Sequence, residues 1–80
     1  IFNYMALKAV KKFFNDEKKC IGIKAVFGNE VLEVSIFKDY PSNKWGVNWG
    51  AYGTQTPKYA KAYSELIALA AVEAEKNGKK

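Results

Sequence analysis

The spacing of apolar and polar residues changes period along this chain, and each period predicts a different element. Over residues 3–18 the repeat is helical. At about 100° per residue, Phe2, Ala6, Leu7, Val10, Phe13 and Phe14 share one face roughly 140° wide. Lys8, Lys11, Lys12 and Lys19 fall opposite. This predicts a first helix with Asn3 as its N-cap, fraying near Asn15-Asp16. The next stretch alternates and is rich in β-branched residues from Cys20 to Phe27 and again from Glu30 to Lys38, with Gly28-Asn29 between. A two-residue Gly-Asn loop predicts a β-hairpin and fixes its register. Phe27 opposes Glu30, Ala25 opposes Leu32, Ile23 opposes Val34 and Ile21 opposes Ile36. Counting the same way sets Lys24 against Glu33 and Gly22 against Ser35. A slip of one residue would lose both the apolar match and the charge match.

Asp39-Tyr40-Pro41-Ser42-Asn43 reads as a second turn, with Pro41 suited to its first corner. Residues 44–52 then predict a third strand. Trp45, Val47, Trp49 and Ala51 alternate there with Gly46, Asn48 and Gly50. With Pro41-Ser42 at the tip, Ile36 opposes Val47 and Val34 opposes Trp49, which brings the tryptophans to the core side. After a loop over residues 53–56, Thr56 is the expected N-cap and Pro57 the first residue of a helix over 57–76. Tyr59, Ala62, Tyr63, Leu66, Ile67, Ala70 and Ala74 form its apolar stripe, with Leu69 at the edge. Lys58, Lys61 and Glu65 point away. Asn77-Gly78 is the expected stop.

These elements predict an α+β fold of order α-β-β-β-α. Its three-stranded antiparallel meander carries both helices on one face. Residues 1–78 form one domain and Lys79-Lys80 a basic tail, with Met5 a candidate start. Eighty residues leave no room for a second domain.

Composition narrows the chemistry. The chain has no histidine and one cysteine, Cys20, which excludes a His-based triad, a multi-His metal site and an internal disulfide. Cys20 reads as a half-buried strand-end residue. The carboxylates are scattered, so no enzyme activity, cofactor or metal is expected. The formal charge is +5, and all thirteen cations are lysine. Such a surface attracts polyanions or acidic proteins, but it lacks the bidentate arginine fork used for reading bases. No apolar run approaches the roughly 20 residues of a membrane span, and no signal-peptide pattern is present. A cytoplasmic protein is expected, with no membrane and no small-molecule substrate.

The α-β-β-β-α order resembles the double-stranded-RNA-binding domain. In motif the likeness lies at the start of the last helix, Gly53-Thr54-Gln55-Thr56-Pro57-Lys58-Tyr59-Ala60-Lys61. There Lys58, Ala60 and Lys61 match the family's Ser-Lys-Lys-x-Ala-Lys pattern and Thr56 takes the Ser position. Pro57 replaces the first lysine of the cluster. The family's long loop with its Gly-Pro-x-His element is here only Gly28-Asn29. The resemblance implies phosphate contacts from Lys58 and Lys61 at a helix N-terminus, with Lys8, Lys11 and Lys12 of the first helix on a minor groove.

Two functions follow as expectations. The first is a non-catalytic module that binds the RNA or DNA backbone through Lys8, Lys11, Lys12, Lys58 and Lys61. The second is a protein-interaction or inhibitor module of the kind small phage or mobile-element proteins provide. It would meet an acidic protein or a second copy of itself through the uncovered sheet face, where Val26, Phe37, Asn48 and Tyr52 are expected.

Overall fold

The Gly28-Asn29 turn organises the fold as its spacing requires. Gly28 takes φ 63°, a left-handed conformation that costs glycine nothing. The flanking strands pair as Phe27↔Glu30, Ala25↔Leu32, Lys24↔Glu33, Ile23↔Val34 and Gly22↔Ser35. The computed structural model describes residues 7–48 and 57–79, and for Pro57 and Lys58 the backbone alone. Within them lie β1 (Lys8–Phe14), β2 (Cys20–Phe27), β3 (Glu30–Lys38), β4 (Trp45–Asn48) and one helix, α1 (Pro57–Gly78). The strands form an antiparallel sheet in the order β1-β2-β3-β4.

The α+β class holds, but the two-helix layout does not. The segment read as a first helix is the edge strand β1, so four strands carry one helix. The cause is local. Lys8 pairs with Val26 and Lys11 with Lys24, so three residues of β1 span two of β2. The extra residue is accommodated in a bulge where Ala9 takes φ 52°. This bulge turns the two-residue strand period into a three-residue spacing, which is also the spacing of a helix face. An exposed edge strand has no buried side to restore the alternation, and six of the seven residues of β1 are exposed. The expected Asn3 cap, with Phe2 and Ala6, lies outside the described residues.

A second bulge sits in β2. Phe13 pairs with Gly22 and Phe14 with Cys20, which leaves Ile21 as the extra residue. Ile21 is therefore 42% exposed and does not join the core opposite Ile36, as expected; Cys20 turns inward in its place at 1%. Cys20 is thus fully buried rather than half-buried.

The core lies between the sheet and α1. Ile23, Ala25, Phe27, Leu32, Val34 and Ile36 meet Ala62, Tyr63, Leu66, Ala70 and Ala74, with Trp45, Val47, Tyr59 and Ile67 packed at its margin. The stripe on α1 is the expected one. The Phe27 and Tyr59 rings meet edge to face at 6.0 Å. Ile36↔Val47 pairs as expected. Val34↔Trp49, the strand beyond Asn48, and the Thr56 cap fall outside the described residues.

Polar groups tie the two layers together at one end. The Asn77 side chain accepts a hydrogen bond from the Cys20 N–H at 3.1 Å and donates to the Cys20 carbonyl at 2.8 Å. Lys19 Nζ donates to the Asn77 carbonyl at 3.0 Å, near the helix C-terminus, where a cation is favoured. Asn77, expected only as part of a helix stop, is a buried connector between α1 and β2. In the β1–β2 turn the Asn15 side chain accepts from the Glu17 and Lys19 N–H groups. No described helix is long and apolar enough to cross a membrane.

Candidate functional site

The alternation of the strands assigns every side chain of the sheet to one of two faces. Ile23 and Val34 face α1, so their neighbours Gly22, Lys24, Glu33 and Ser35 face away. Register carries this assignment outward to β1 and β4. Lys8 pairs with Val26, Lys11 with Lys24 and Phe13 with Gly22. Phe37 pairs with Gly46 and Ser35 with Asn48. The face away from α1 therefore carries Lys8, Lys11 and Phe13 from β1, Lys24 and Val26 from β2, Val31, Glu33, Ser35 and Phe37 from β3, and Asn48 from β4.

The two groups of candidate residues, for polyanion binding and for protein interaction, meet on this face. Lys8 and Lys11 share it with Val26, Phe37 and Asn48, Lys8 directly opposite Val26 and the other two towards the far edge. Lys24, expected only as the partner of Glu33, joins them. Its ammonium stands 5.1 Å from the centre of the Phe13 ring, and that of Lys11 stands 5.5 Å from the same centre. Phe13 thus holds two cations by their attraction to its π-cloud. Lys24 reaches Glu33 at 3.8 Å, with both groups about half exposed, so this pair is weak. Lys8, Lys11 and Lys24 outnumber Glu33, and the face is net positive.

The apolar part of the face is exposed. Val31 is 64% and Phe37 44% accessible. The Phe37 ring lies across Gly46, where an added Cβ would touch ring carbons at 3.5 and 3.6 Å. These are ordinary contact distances, so the ring covers β4 there without requiring glycine.

The other expected lysines do not join this surface. Lys12 pairs with Ile23 and so faces α1, where its ammonium bonds Glu73 Oε2 at 3.0 Å. Glu73 is buried and also meets Lys76 at 3.4 Å. The Lys12 hydrogen bond holds the Glu73 carboxyl below the usual carboxylate range, with burial opposing and Lys76 assisting. Lys12 thus links β1 to α1. Lys61 is exposed on α1, in the layer behind the sheet. Lys8 and Lys11 thus lie on the opposite side of the sheet from Lys12 and Lys61, because the segment read as a first helix is a strand whose side chains split between two faces. The side chain of Lys58, and Trp49 and Tyr52 altogether, lie outside the described residues.

No group of three metal-ligating side chains converges among the described residues. A cleft of about 570 Å³ between the turns and the end of α1 is lined by Lys19, Lys38, Lys79, Tyr40 and Trp45 among others. There Lys19 donates to the Asn77 carbonyl, the Lys38 ammonium stands 5.8 Å from the centre of the Tyr40 ring and Lys79 stands 3.9 Å from Glu75.

Compared with known proteins, the chain matches no protein-family model, no curated protein and no solved structure.

Proposed function

We propose that this protein is a non-catalytic nucleic-acid-binding module whose contact surface is the open face of the sheet. One observation carries the reading: Lys11 and Lys24 stand over the Phe13 ring, and Lys8, further along β1 beside Val26, shares with them a face that α1 leaves uncovered. Lysines neutralise phosphates as point charges, without reading sequence. The Phe13 and Phe37 rings offer apolar contact to sugar or base, and Ser35 and Asn48 offer hydrogen bonds between them. Nothing on the face would read bases by a bidentate guanidinium, so sequence preference is weak.

Fluorescence anisotropy with duplex and single-stranded DNA and RNA, at two salt concentrations, tests the reading. Binding weakens steeply with salt. Lys8→Gln, Lys11→Gln and Lys24→Gln together lower affinity about tenfold or more, because fewer counterions are released. Lys38→Gln, on the side of the sheet that faces α1, leaves it unchanged. Salt-independent binding, or full affinity in the triple variant, would overturn the proposal.

The exposure of Val31 and Phe37 favours a second reading, docking of an acidic protein on the same face. Under that reading Phe37→Lys abolishes binding to the protein partner, and no nucleic acid shifts the anisotropy.

A further inference from the structure

We propose that the groove between β1 and the flank of α1 is a self-association surface, closed by a second copy of this chain. It is separate from the open sheet face. Because α1 spans β2, β3 and β4, β1 stands outboard of the helix and a strip between them is left uncovered. Val10 on β1 is 44% exposed, and Leu69 and Val72 on α1 are 40% and 52% exposed. With Leu7 and the Glu65 flank they line a shallow, mainly apolar groove of about 530 Å³.

The charges beside the groove specify the occupant. At about 100° per residue, Glu65, Leu69, Val72 and Lys76 form one stripe on α1, roughly 60° wide. The stripe is self-complementary under a two-fold axis at the level of Ala70 and Ala71. In that antiparallel arrangement Leu69 opposes Val72 of the partner subunit, and Glu65 opposes Lys76 of the partner subunit. A parallel two-fold arrangement would set like charges against each other, so the stripe selects the antiparallel pair. Glu65 is exposed and forms no salt bridge among the described residues, and Lys76, which reaches Glu73 at 3.4 Å, keeps 65% of its side chain accessible. Edge-to-edge pairing of β1 is opposed by its bulge and by Lys8 and Lys11, which leaves the helix side as the route of contact. The apolar strip is small, so association is weak and depends on concentration. It leaves the lysine face of each copy open.

Sedimentation equilibrium from micromolar to millimolar protein tests the proposal. The average mass rises with concentration from one chain towards two. Val72→Lys holds it at one chain throughout, with unchanged circular dichroism and melting temperature. A second measurement fixes the geometry. Glu65→Cys with Lys76→Cys oxidises to a covalent dimer, because these sites are about 16 Å apart on one helix and cannot join within a chain. Either single variant does not cross-link. A constant one-chain mass for the unaltered protein, a dimer that survives Val72→Lys, or no cross-link in the double variant overturns the proposal. So does a dimer lost with Phe37→Lys, which would place the contact on the open face.

Discussion

Asn77 and Glu73 show how much of the packing between the layers rests on single polar side chains. Asn77 serves both backbone groups of Cys20, at the strand start where the β2 bulge interrupts the ladder. Asn77→Ala leaves a buried donor and a buried acceptor without partners. The expected cost is about 2–3 kcal/mol, read as a lower urea midpoint at unchanged slope. Glu73 holds the other link, to Lys12 of the edge strand. Its carboxyl titrates below the ordinary range when folded. The stability it contributes is therefore complete above the ordinary glutamate value and is lost as pH falls through the lowered one. Thermal melts should show the unaltered protein losing its advantage over Glu73→Gln as the solution is acidified through that window. At neutral pH Lys12→Met weakens the same link and lowers stability by about 1–2 kcal/mol. None of this was legible from the sequence. An Asn-Gly pair near a helix end reads as a stop signal, and a glutamate in the last turns of a helix reads as solvated. Burial makes both residues structural, and burial depends on where α1 lands.

At the scale of elements, β2, β3 and α1 could be read and β1 could not. The hairpin was legible because its two strands have one buried side, which enforces strict alternation, and because a two-residue turn permits one register. Helix α1 was legible because its stripe runs unbroken from Tyr59 to Ala74, although the helix continues to Gly78, two residues past the expected end. β1 has neither device. It is an edge, exposed on both sides for most of its length, and a bulge shifts its phase. Lys8 and Lys11 share a face in the helical reading and in the strand, because three residues separate them in both. Lys12 was grouped with them and leaves them, since consecutive residues of a strand face opposite ways. The bulge makes its own prediction. Ala9 holds a left-handed conformation that disfavours any Cβ. Ala9→Gly should stabilise the protein by about 0.5–1 kcal/mol, the relief of strain exceeding the added entropy of the unfolded chain. Ala9→Val should destabilise it by more than about 1 kcal/mol. Chemical denaturation of the two variants checks both.

Across the whole molecule the sheet separates two surfaces of different character. Behind it lies α1, with mixed charge and the apolar groove; in front lies the face with Lys8, Lys11 and Lys24. If these three lysines meet phosphates, the logarithm of the binding constant should fall against the logarithm of salt with a slope of about −2 to −3. Replacing any one of them by Gln should reduce that slope by about 1, and Lys12→Gln should leave it unchanged. The sequence shows the residues of this face without showing that they share it. Lys8, Lys11, Val26, Phe37 and Asn48 were named, but in two separate groups assigned to different surfaces. Lys24 was seen only as a partner for Glu33, and Phe13 as a core residue of a helix.

The sequence by itself determined what local sterics and periodic burial determine. A Gly-Asn turn sets Ile23 against Val34, and an apolar stripe sets Tyr63, Leu66 and Ala70 towards a core. Tertiary structure decided what depends on position in the assembly. It made residues 8–14 an edge strand, placed the bulges at Ala9 and Ile21, sent Lys12 to Glu73 while Lys11 turned to Phe13, and made Asn77 a buried connector. The physical reason is that edge strands and interlayer polar contacts carry no period of their own. Their side chains are assigned by what packs against them, and that exists only once the chain has folded.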